Sequence, residues 1–260
     1  MNALTELELS HLDSIGLDEL NEAAALQTRV DRKYVLAQGD ADLVLDSLSS
    51  ALATGVAPRV LEIDGTRGSS YLSVYFDTPD LLSYRMAAHA RRRRFKLRTR
   101  SYVDSEQSFL EMKTRGARST TVKERLEYDF ASSDVLTSDG RDYADAALDA
   151  LGLREPGRLQ LQPTLVTRYV RTTLFLGGSS SRATIDTDLR WEAADGAALD
   201  RPGLVILETK SGSRTSEVDR VLWAHGHRPA TISKFGTGLA ALRPDLPSNK
   251  WARVLRRHFV

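Results

Sequence analysis

Residues 95–100, FKLRTR, decide the fold because apolar and cationic side chains alternate along them. Successive side chains of a β-strand point to opposite faces of the sheet. Phe95 and Leu97 therefore share one face with a threonine. The opposite face carries three cations: Lys96, Arg98 and Arg100. This alternation predicts a strand with one buried face and one cationic face.

Four arginines, Arg91–Arg94, come directly before this strand. Arg94 lies two residues before Lys96, so its side chain should point to the same face, and we expect it at the rim of that cationic face. The other three arginines are expected to be solvated or to guide a substrate. From Arg85 to Arg125 there are 13 Lys and Arg but only 4 Asp and Glu, although the whole chain of 260 residues has a formal charge of +1. A locally basic surface in a near-neutral protein indicates an anionic ligand.

Five further segments show the same alternation of apolar and polar side chains. They are YLSVYFDT (71–78), FLEMKTR (109–115), TVKERLEY (121–128), SRATIDTDLR (181–190) and VILETK (205–210). One solvated face is the ordinary interpretation of any one such strand. All of these polar faces except that of YLSVYFDT carry Lys or Arg, and like charges on adjacent strands repel. The pattern therefore favours a closed barrel whose cationic lumen is neutralised by a polyanion.

The remaining segments predict two more strands and several helices. The strands are RVDRKYVLA (29–37) and TLVTRYVRTTLFL (164–176). The helices are 1–27, 40–54 with Asp40 as N-cap, 132–152, 216–226, and one that begins near Lys234 and stops at Pro244. The segment WARVLRRHFV (251–260) is basic and amphipathic, typical of a solvated helix or of a contact with a membrane or partner. The whole predicts one α+β domain with a mostly antiparallel sheet.

Composition excludes several kinds of site. The chain has no cysteine, which excludes disulfides, thiolate metal sites and cysteine nucleophiles. No apolar run is long enough to span a bilayer, and the acidic start of the chain lacks the pattern of a signal peptide. We therefore expect a cytoplasmic protein. Neither a Walker-type phosphate loop nor a Ser-His-Asp pattern is present.

Nine short segments, none specific alone, occur together in the order found in a known family. They are DRKYVL, SVYFDT, KLRTR, LEMKTR, TVKERLEY, YVRTTL, IDTDLR, LVILETK and SKFGTG. In this ordered set the chain resembles the VTC domain (vacuolar transporter chaperone, polyphosphate polymerase) of the triphosphate tunnel metalloenzyme (CYTH-like) superfamily. The resemblance implies one tunnel domain over residues 1–260. Its core, about 29–243, is an eight-stranded antiparallel β-barrel with a cationic lumen and helices packed outside, between an N-terminal helical segment (1–28) and a basic C-terminal tail (244–260).

The resemblance also implies which cations act on phosphate. The matching catalytic cations are Lys33, Arg98, Arg100, Lys113, Lys123, Arg171 and Lys234. Lys96, Arg125 and Lys210 are expected to add phosphate contacts, whereas Arg168 has the opposite parity to Arg171 and fits less well. Arginine forks match phosphate oxygens bidentately, and lysine supplies a point charge.

The metal-binding glutamate of the family matches Glu208. A hard cation such as Mn²⁺ or Mg²⁺ takes one or two carboxylates and shares phosphate oxygens. Glu111 and Asp186 are candidate ligands beside it, and Glu127 is a further polar-face acid. For all four carboxylates, Glu208 included, the alternative is a salt bridge to a neighbouring cation. Many relatives open with Glu-x-Glu-x-Lys, but here the strand RVDRKYV has only Asp31 as an acid, so a second metal site lacks support.

These features predict a metal-dependent phosphotransferase, polyphosphate polymerase-like, that transfers the γ-phosphoryl of ATP to a polyphosphate chain. A triphosphatase acting on inorganic triphosphate or nucleoside triphosphates is the alternative within the same fold, and a non-catalytic polyphosphate-binding module is another. A nucleic-acid-binding module led by Arg91–Arg94 is disfavoured because no aromatic residues interleave with the arginines. The expected partners are ATP or triphosphate, polyphosphate and, at the inner face of a membrane, a membrane protein. No sequence feature indicates an oligomeric state.

Overall fold

The computed structural model is an α+β structure built on a large sheet. It describes residues 9–24, 30–51, 56–116, 121–153, 159–212 and 214–259. In these ranges eleven strands form one sheet. Six of its strand pairs are antiparallel, and the first and third strands pair in parallel. Seven α-helices accompany the strands in the same ranges. The α+β class and the antiparallel sheet predicted from the sequence are therefore confirmed.

Eight of the eleven strands follow the predicted segments. The strands are β1 (Ser14–Ile15), β2 (Val30–Ala37), β3 (Arg59–Leu61), β4 (Gly68–Asp77), β5 (Phe95–Tyr102), β6 (Gln107–Arg115), β7 (Thr121–Tyr128), β8 (Gln162–Leu176), β9 (Ser181–Ala193), β10 (Ala198–Arg201) and β11 (Leu204–Ser211). Of these, β1, β3 and β10 are additional to the predicted segments. The helices are α1 (Leu17–Ala23), α2 (Gln38–Ala51), α3 (Leu82–Ala88), α4 (Ser138–Ala150), α5 (Glu217–Ala224), α6 (Lys234–Leu242) and α7 (Ala252–His258). No helix within the described ranges is both long enough and apolar enough to cross a membrane.

The chain divides into two compact units. The first unit comprises the described residues of Met1–Ser69, Tyr169–Leu189 and Arg201–Thr231. The second unit comprises those of Ser70–Arg168, Arg190–Asp200 and Ile232–Val260. Strands β8 and β9 each contribute residues to both units.

In the first unit, strands β2, β11, β9 and β8 lie side by side in that order. The register places Glu208 of β11 opposite Lys33 of β2 and opposite Thr184 of β9. The other face of these strands is apolar and packs against α2 and α5. This buried core contains Tyr34, Leu36, Val44, Leu48, Ile185, Val205, Leu207, Val218 and Leu222. Burial of one face fixes the register, because a slip by one residue would expose the apolar set.

In the second unit, strands β4, β5, β6 and β7 lie side by side in that order. Their apolar face packs against α4, which begins after Thr137, whose hydroxyl accepts a hydrogen bond from the backbone N–H of Gly140. This core contains Val74, Phe76, Phe95, Leu97, Leu110, Met112, Ala144 and Leu148. Glu124 has the parity of this apolar face but is exposed on β7, the end of the described strand order, which explains why an acid is tolerated there.

Two sequence-based expectations are wrong. Asp40 is not the N-cap of α2, because the helix begins at Gln38 directly after β2; Asp40 lies in the first turn, where its charge still complements the helix dipole. The C-terminal segment is not a solvated tail. Trp251 and Phe259 are 2% and 8% exposed, and their rings pack on Tyr84 and Trp191 of the same unit.

The N-terminal helical prediction holds only for α1 among the described residues, and residues 1–8 and 25–29 lie outside them. Ile15, Leu20 and Ala24 are buried in a small cluster with Leu61 and Phe175. The strand order described for the sheet is an open path, so closure into an eight-stranded barrel stays a prediction.

Candidate functional site

The polar face of the second unit carries a row of three lysines, here called the lysine rung. The register sets Lys96 of β5 opposite Lys113 of β6, and Lys113 opposite Lys123 of β7. Lys96 Nζ donates a hydrogen bond of 2.9 Å to Ser233 Oγ. Like charges on neighbouring strands repel each other, so this row raises the positive potential of the face and attracts anions.

The next row is centred on Glu111, which is only 2% exposed. Its Oε2 accepts hydrogen bonds of 3.0 and 2.8 Å from Nε and Nη2 of Arg98, and its Oε1 lies 2.6 Å from Lys123 Nζ. Burial alone would raise the pKa of Glu111, but Arg98 and Lys123 outweigh it and hold that pKa below its usual value. Both carboxylate oxygens of Glu111 are therefore engaged by cations.

Arg98 and Arg100 differ in how completely their donors are used. Arg98 Nη1 also donates a 2.9 Å hydrogen bond to the Tyr75 hydroxyl. Arg100 Nε lies 3.7 Å from Glu111 and, among the described residues, is a buried donor without a hydrogen-bond partner. Leaving a buried donor unsatisfied costs about 1–3 kcal/mol. An anion oxygen that accepts a hydrogen bond from Arg100 Nε would remove this cost.

The third row is more exposed. In it, the register sets Phe109 between Arg100 and Glu127. Arg125 lies opposite Glu111 in the second row, and its guanidinium carbon is 4.7 Å from the centre of the Phe109 ring. Glu127 is exposed on β7. Arg125 remains a candidate phosphate contact, while the position of Glu127 at the surface favours a solvated carboxylate.

In the first unit, Glu208 lies among cations. Its Oε2 is 2.7 Å from Lys33 Nζ, and its Oε1 is 3.9 Å from Lys210 Nζ, which is beyond hydrogen-bond distance. Burial would raise the pKa of Glu208, but Lys33 and Lys210 hold it far below its usual range. Burial lowers the pKa of Lys210 to about 8, with Glu208 opposing that shift and Arg171 adding to it.

Arg171 and Asp186 form a bidentate pair in the first unit. Arg171 Nε and Nη2 donate hydrogen bonds of 2.6 and 2.8 Å to the two oxygens of Asp186, which is 1% exposed. Arg168 is instead exposed and pairs with Glu192 at 3.2 Å, as its opposite parity predicts. The salt-bridge alternative is therefore what the structure shows for Asp186, as it is for Glu111.

The remaining candidate residues lie at element ends. Lys234 is the first residue of α6, and its carbonyl accepts a 2.9 Å hydrogen bond from the Trp191 indole. Arg91, Arg92 and Arg93 are exposed, whereas Arg94 is half-buried. Asp31 lies opposite Lys210 in the register.

The donor sets decide which carboxylate fits a divalent cation. No three His, Asp or Glu side chains group as in an all-protein metal site in the part of the chain that the structure describes. Mg²⁺ and Mn²⁺ at phosphate sites need only one or two carboxylates. Glu208 fits because its Oε1 has only a distant cation, whereas Glu111 and Asp186 would first have to give up a guanidinium.

Sequence reasoning missed two polar groups of the second unit. Tyr75 hydroxyl orients Arg98, and Ser233 Oγ orients Lys96. Strand parity already placed Tyr75 on the polar face, so the signal was present although the residue carries no charge. Ser233 lies just before α6, and no pattern in the sequence connects it to Lys96.

Comparison with known proteins places the chain in a family. The VTC domain family matches residues 28–243. No curated protein matches the chain.

One similar solved structure is the putative adenylyl cyclase HpAC1 from Hippeastrum, described as having a dominant triphosphatase activity. It is 18% identical to this chain, and the match covers 85% of this chain and 98% of that one, with a TM-score of 0.46. A conserved hypothetical protein from Pyrococcus furiosus is 15% identical over 76% of this chain and 88% of that one, with a TM-score of 0.39. The PH1012 protein from Pyrococcus horikoshii OT3 is 12% identical over the same shares, with a TM-score of 0.38. On the match over residues 28–243, the chain belongs to the VTC domain family.

Proposed function

From this family membership we propose that the chain is a metal-dependent phosphotransferase of the polyphosphate polymerase type, which transfers the γ-phosphoryl of ATP to a polyphosphate chain. The observation that carries the proposal is the lysine rung beside Arg100, whose buried Nε has no hydrogen-bond partner among the described residues. Such a face suits a string of phosphoryl groups better than a single small anion. The closed tunnel that the family resemblance implies is part of the proposal.

The second unit would hold phosphate. The lysine rung supplies three ammonium groups in a row, and Arg100 adds a directional donor. Glu111 holds the Arg98 guanidinium in place from one side, and the Tyr75 hydroxyl holds it from another. These fixed cations would position successive phosphoryl groups without reorganising when charge shifts during transfer.

The first unit would hold the divalent cation through Glu208. Lys33 keeps this carboxylate ionised and leaves its Oε1 available. A bound Mn²⁺ or Mg²⁺ supplies charge neutralisation on phosphate oxygens. Lys33 and Lys210 would add fixed positive charge in the same unit.

The reaction needs little else from the protein. The bond between the γ-phosphorus and its bridging oxygen breaks, a bond to a terminal oxygen of the chain forms, and ADP leaves with the bonding electrons. Catalysis of this kind depends on positioning and on charge stabilisation. No residue has to act as a nucleophile, because the chain end already carries anionic oxygens.

The test is incubation of the purified chain with ATP and Mn²⁺, with products separated on a gel stained for polyphosphate and free phosphate assayed in parallel. We expect phosphate chains that require the metal and are lost on chelation. The matched control is Arg256→Ala, which removes an exposed cation of α7 and should leave the product unchanged. Free phosphate without chains would replace the proposal by a triphosphatase, and tight polyphosphate binding without either product would replace it by a binding module. The cytoplasmic location and the membrane-protein partner stay predictions.

A further inference from the structure

A cavity of about 190 Å³ adjoins the lysine rung at the end of strands β5 and β6 in the second unit. Five of its lining residues are cations: Arg94, Lys96, Lys113, Arg115 and Lys250. Its described lining includes no Asp or Glu. By volume it has room for roughly six water molecules, which is enough for a hydrated phosphoryl group.

The cavity continues the cationic face beyond the lysine rung. The register that pairs Phe95 with Thr114 puts Arg94 beside Arg115, one step past Lys96 and Lys113 on the same face. The cations around Glu111 contact a carboxylate directly, whereas the described lining of this cavity contains none.

Lys250 reaches the cavity from outside the family-matched stretch, which ends at residue 243. Its Nζ donates a 2.8 Å hydrogen bond to the carbonyl of Ala87 and lies 5.6 Å from the ring centre of Trp251. An ammonium group has three donors, so one bond to Ala87 leaves capacity for an anion. Trp251 is 2% exposed, and this buried anchor fixes the segment that carries Lys250.

The charges in the cavity destabilise one another. Burial lowers the pKa of Lys250, and Arg94 and Arg115 lower it further. The pKa of Arg94 is lowered in the same way, by burial and then by Arg115. Lys250 and Arg94 are therefore harder to keep charged in this cavity, and a bound anion would remove that penalty.

We propose that this cavity is an additional phosphate subsite, completed by Lys250 from the C-terminal segment, which binds a phosphoryl group of a polyphosphate chain beyond those held on the lysine rung. The inference rests on the proposed function for the identity of its ligand, a linear polyphosphate. It assigns to residues beyond 243 a part in ligand binding, and it predicts that long chains use this subsite while the shortest do not.

The experiment measures direct binding of two probes, long-chain polyphosphate and pyrophosphate, to the full chain by titration calorimetry. Lys250→Ala and Arg115→Ala should each weaken long-chain binding by about tenfold, with pyrophosphate affinity changed by less than about twofold. Arg256→Ala on α7 is the matched control for charge loss and should behave as the wild type. Lys250→Arg should restore the affinity, which distinguishes loss of a charge from loss of packing against Trp251.

The outcomes separate this inference from the proposed function. If the variants bind long chains as tightly as Arg256→Ala does, the subsite is refuted even when the enzyme still makes polyphosphate. If the variants lose long-chain affinity although ATP yields no polymer, the subsite stands and the polymerase proposal fails. If the wild type binds neither probe, both are overturned. Thermal melting of each variant identifies any that fails to fold, and Arg115→Ala, on β6, tests the cavity independently of the C-terminal segment.

Discussion

Two strands of this protein carry the same four-residue pattern, Leu-Glu-x-Lys, at residues 110–113 of β6 and 207–210 of β11. In both, the leucine is buried on the apolar face and the glutamate lies among cations on the other face. Both glutamates also have a pKa below the usual value because neighbouring cations outweigh burial. The strand pattern therefore determines the face and the charge state equally well in the two units.

The two glutamates differ in what remains available on the carboxylate. Arg98 and Lys123 occupy both oxygens of Glu111. Lys33 occupies one oxygen of Glu208, and the other has only Lys210 at 3.9 Å. The same pattern thus gives a saturated ion-pair centre in one unit and a carboxylate that can still bind a cation in the other.

The largest expected effect is on turnover. Glu208→Gln keeps the size and shape of the side chain but removes the charge that would hold a divalent cation. We expect metal-dependent turnover to fall by about 100-fold or more. Because neighbouring cations hold the folded pKa of Glu208 far below its usual value, losing this charge should also lower the unfolding free energy, by about 1–2 kcal/mol given that Lys33 is one-third exposed. Steady-state assay of ATP consumption at saturating Mn²⁺, beside a thermal melt, measures both. Retained activity would remove Glu208 from the metal site.

The second effect is on stability and belongs to the other glutamate. Glu111→Gln leaves the buried Arg98 guanidinium without its counter-charge, and breaking a buried pair from one side costs about 3 kcal/mol. For a chain of this size we expect a fall in Tm of roughly 10 °C. Arg98→Ala should cost a similar amount, since it leaves the Glu111 carboxylate buried. Chemical denaturation of the three proteins provides the measurement, and unchanged midpoints would contradict the structural role.

The third effect is the pH dependence of the difference in stability between the wild type and Glu111→Gln. The folded pKa of Glu111 is lower than its unfolded value, so its stabilisation is complete above the ordinary glutamate pKa and is lost as the pH falls through the folded pKa. The wild type should therefore lose its advantage over Glu111→Gln in the pH window below the ordinary glutamate pKa of 4.5. Melting curves of both proteins across that window test the sign. An advantage that grows on acidification would be the opposite of what the ion pair predicts.

The smallest expected effect is the stability loss on removing Lys123, the most exposed of the cations that pair with Glu111. Lys123 is 38% exposed, whereas Arg98 is 8% exposed. Lys123→Ala should cost only about 0.5–1 kcal/mol, while weakening polyphosphate binding through the lysine rung. A denaturation curve paired with a polyphosphate titration reports both quantities. A stability loss as large as that of Arg98→Ala would show that exposure does not separate the two pairs.

The sequence alone predicts which face of each strand a side chain points to, but it does not predict which side chains form ion pairs. Parity placed Arg98, Glu111 and Glu208 on polar faces because one face of each strand has to be buried. Parity did not show that Glu111 is saturated, because that depends on Arg98 and Lys123 converging from two neighbouring strands. The basic residues of the C-terminal segment favour a solvated helix or an external contact, whereas Trp251 and Phe259 are buried within the second unit.

The most direct test of the account is to titrate the wild type, Glu208→Gln and Glu111→Gln with Mn²⁺ in the presence of tripolyphosphate. Electron paramagnetic resonance measures the bound and free metal at each step. Both variants should be folded at the measuring temperature, as melting curves will establish. The account predicts that Glu208→Gln weakens Mn²⁺ binding by about tenfold or more, while Glu111→Gln stays within about twofold of the wild type. Equal loss in both variants, or loss in Glu111→Gln alone, would contradict the distinction between the two glutamates.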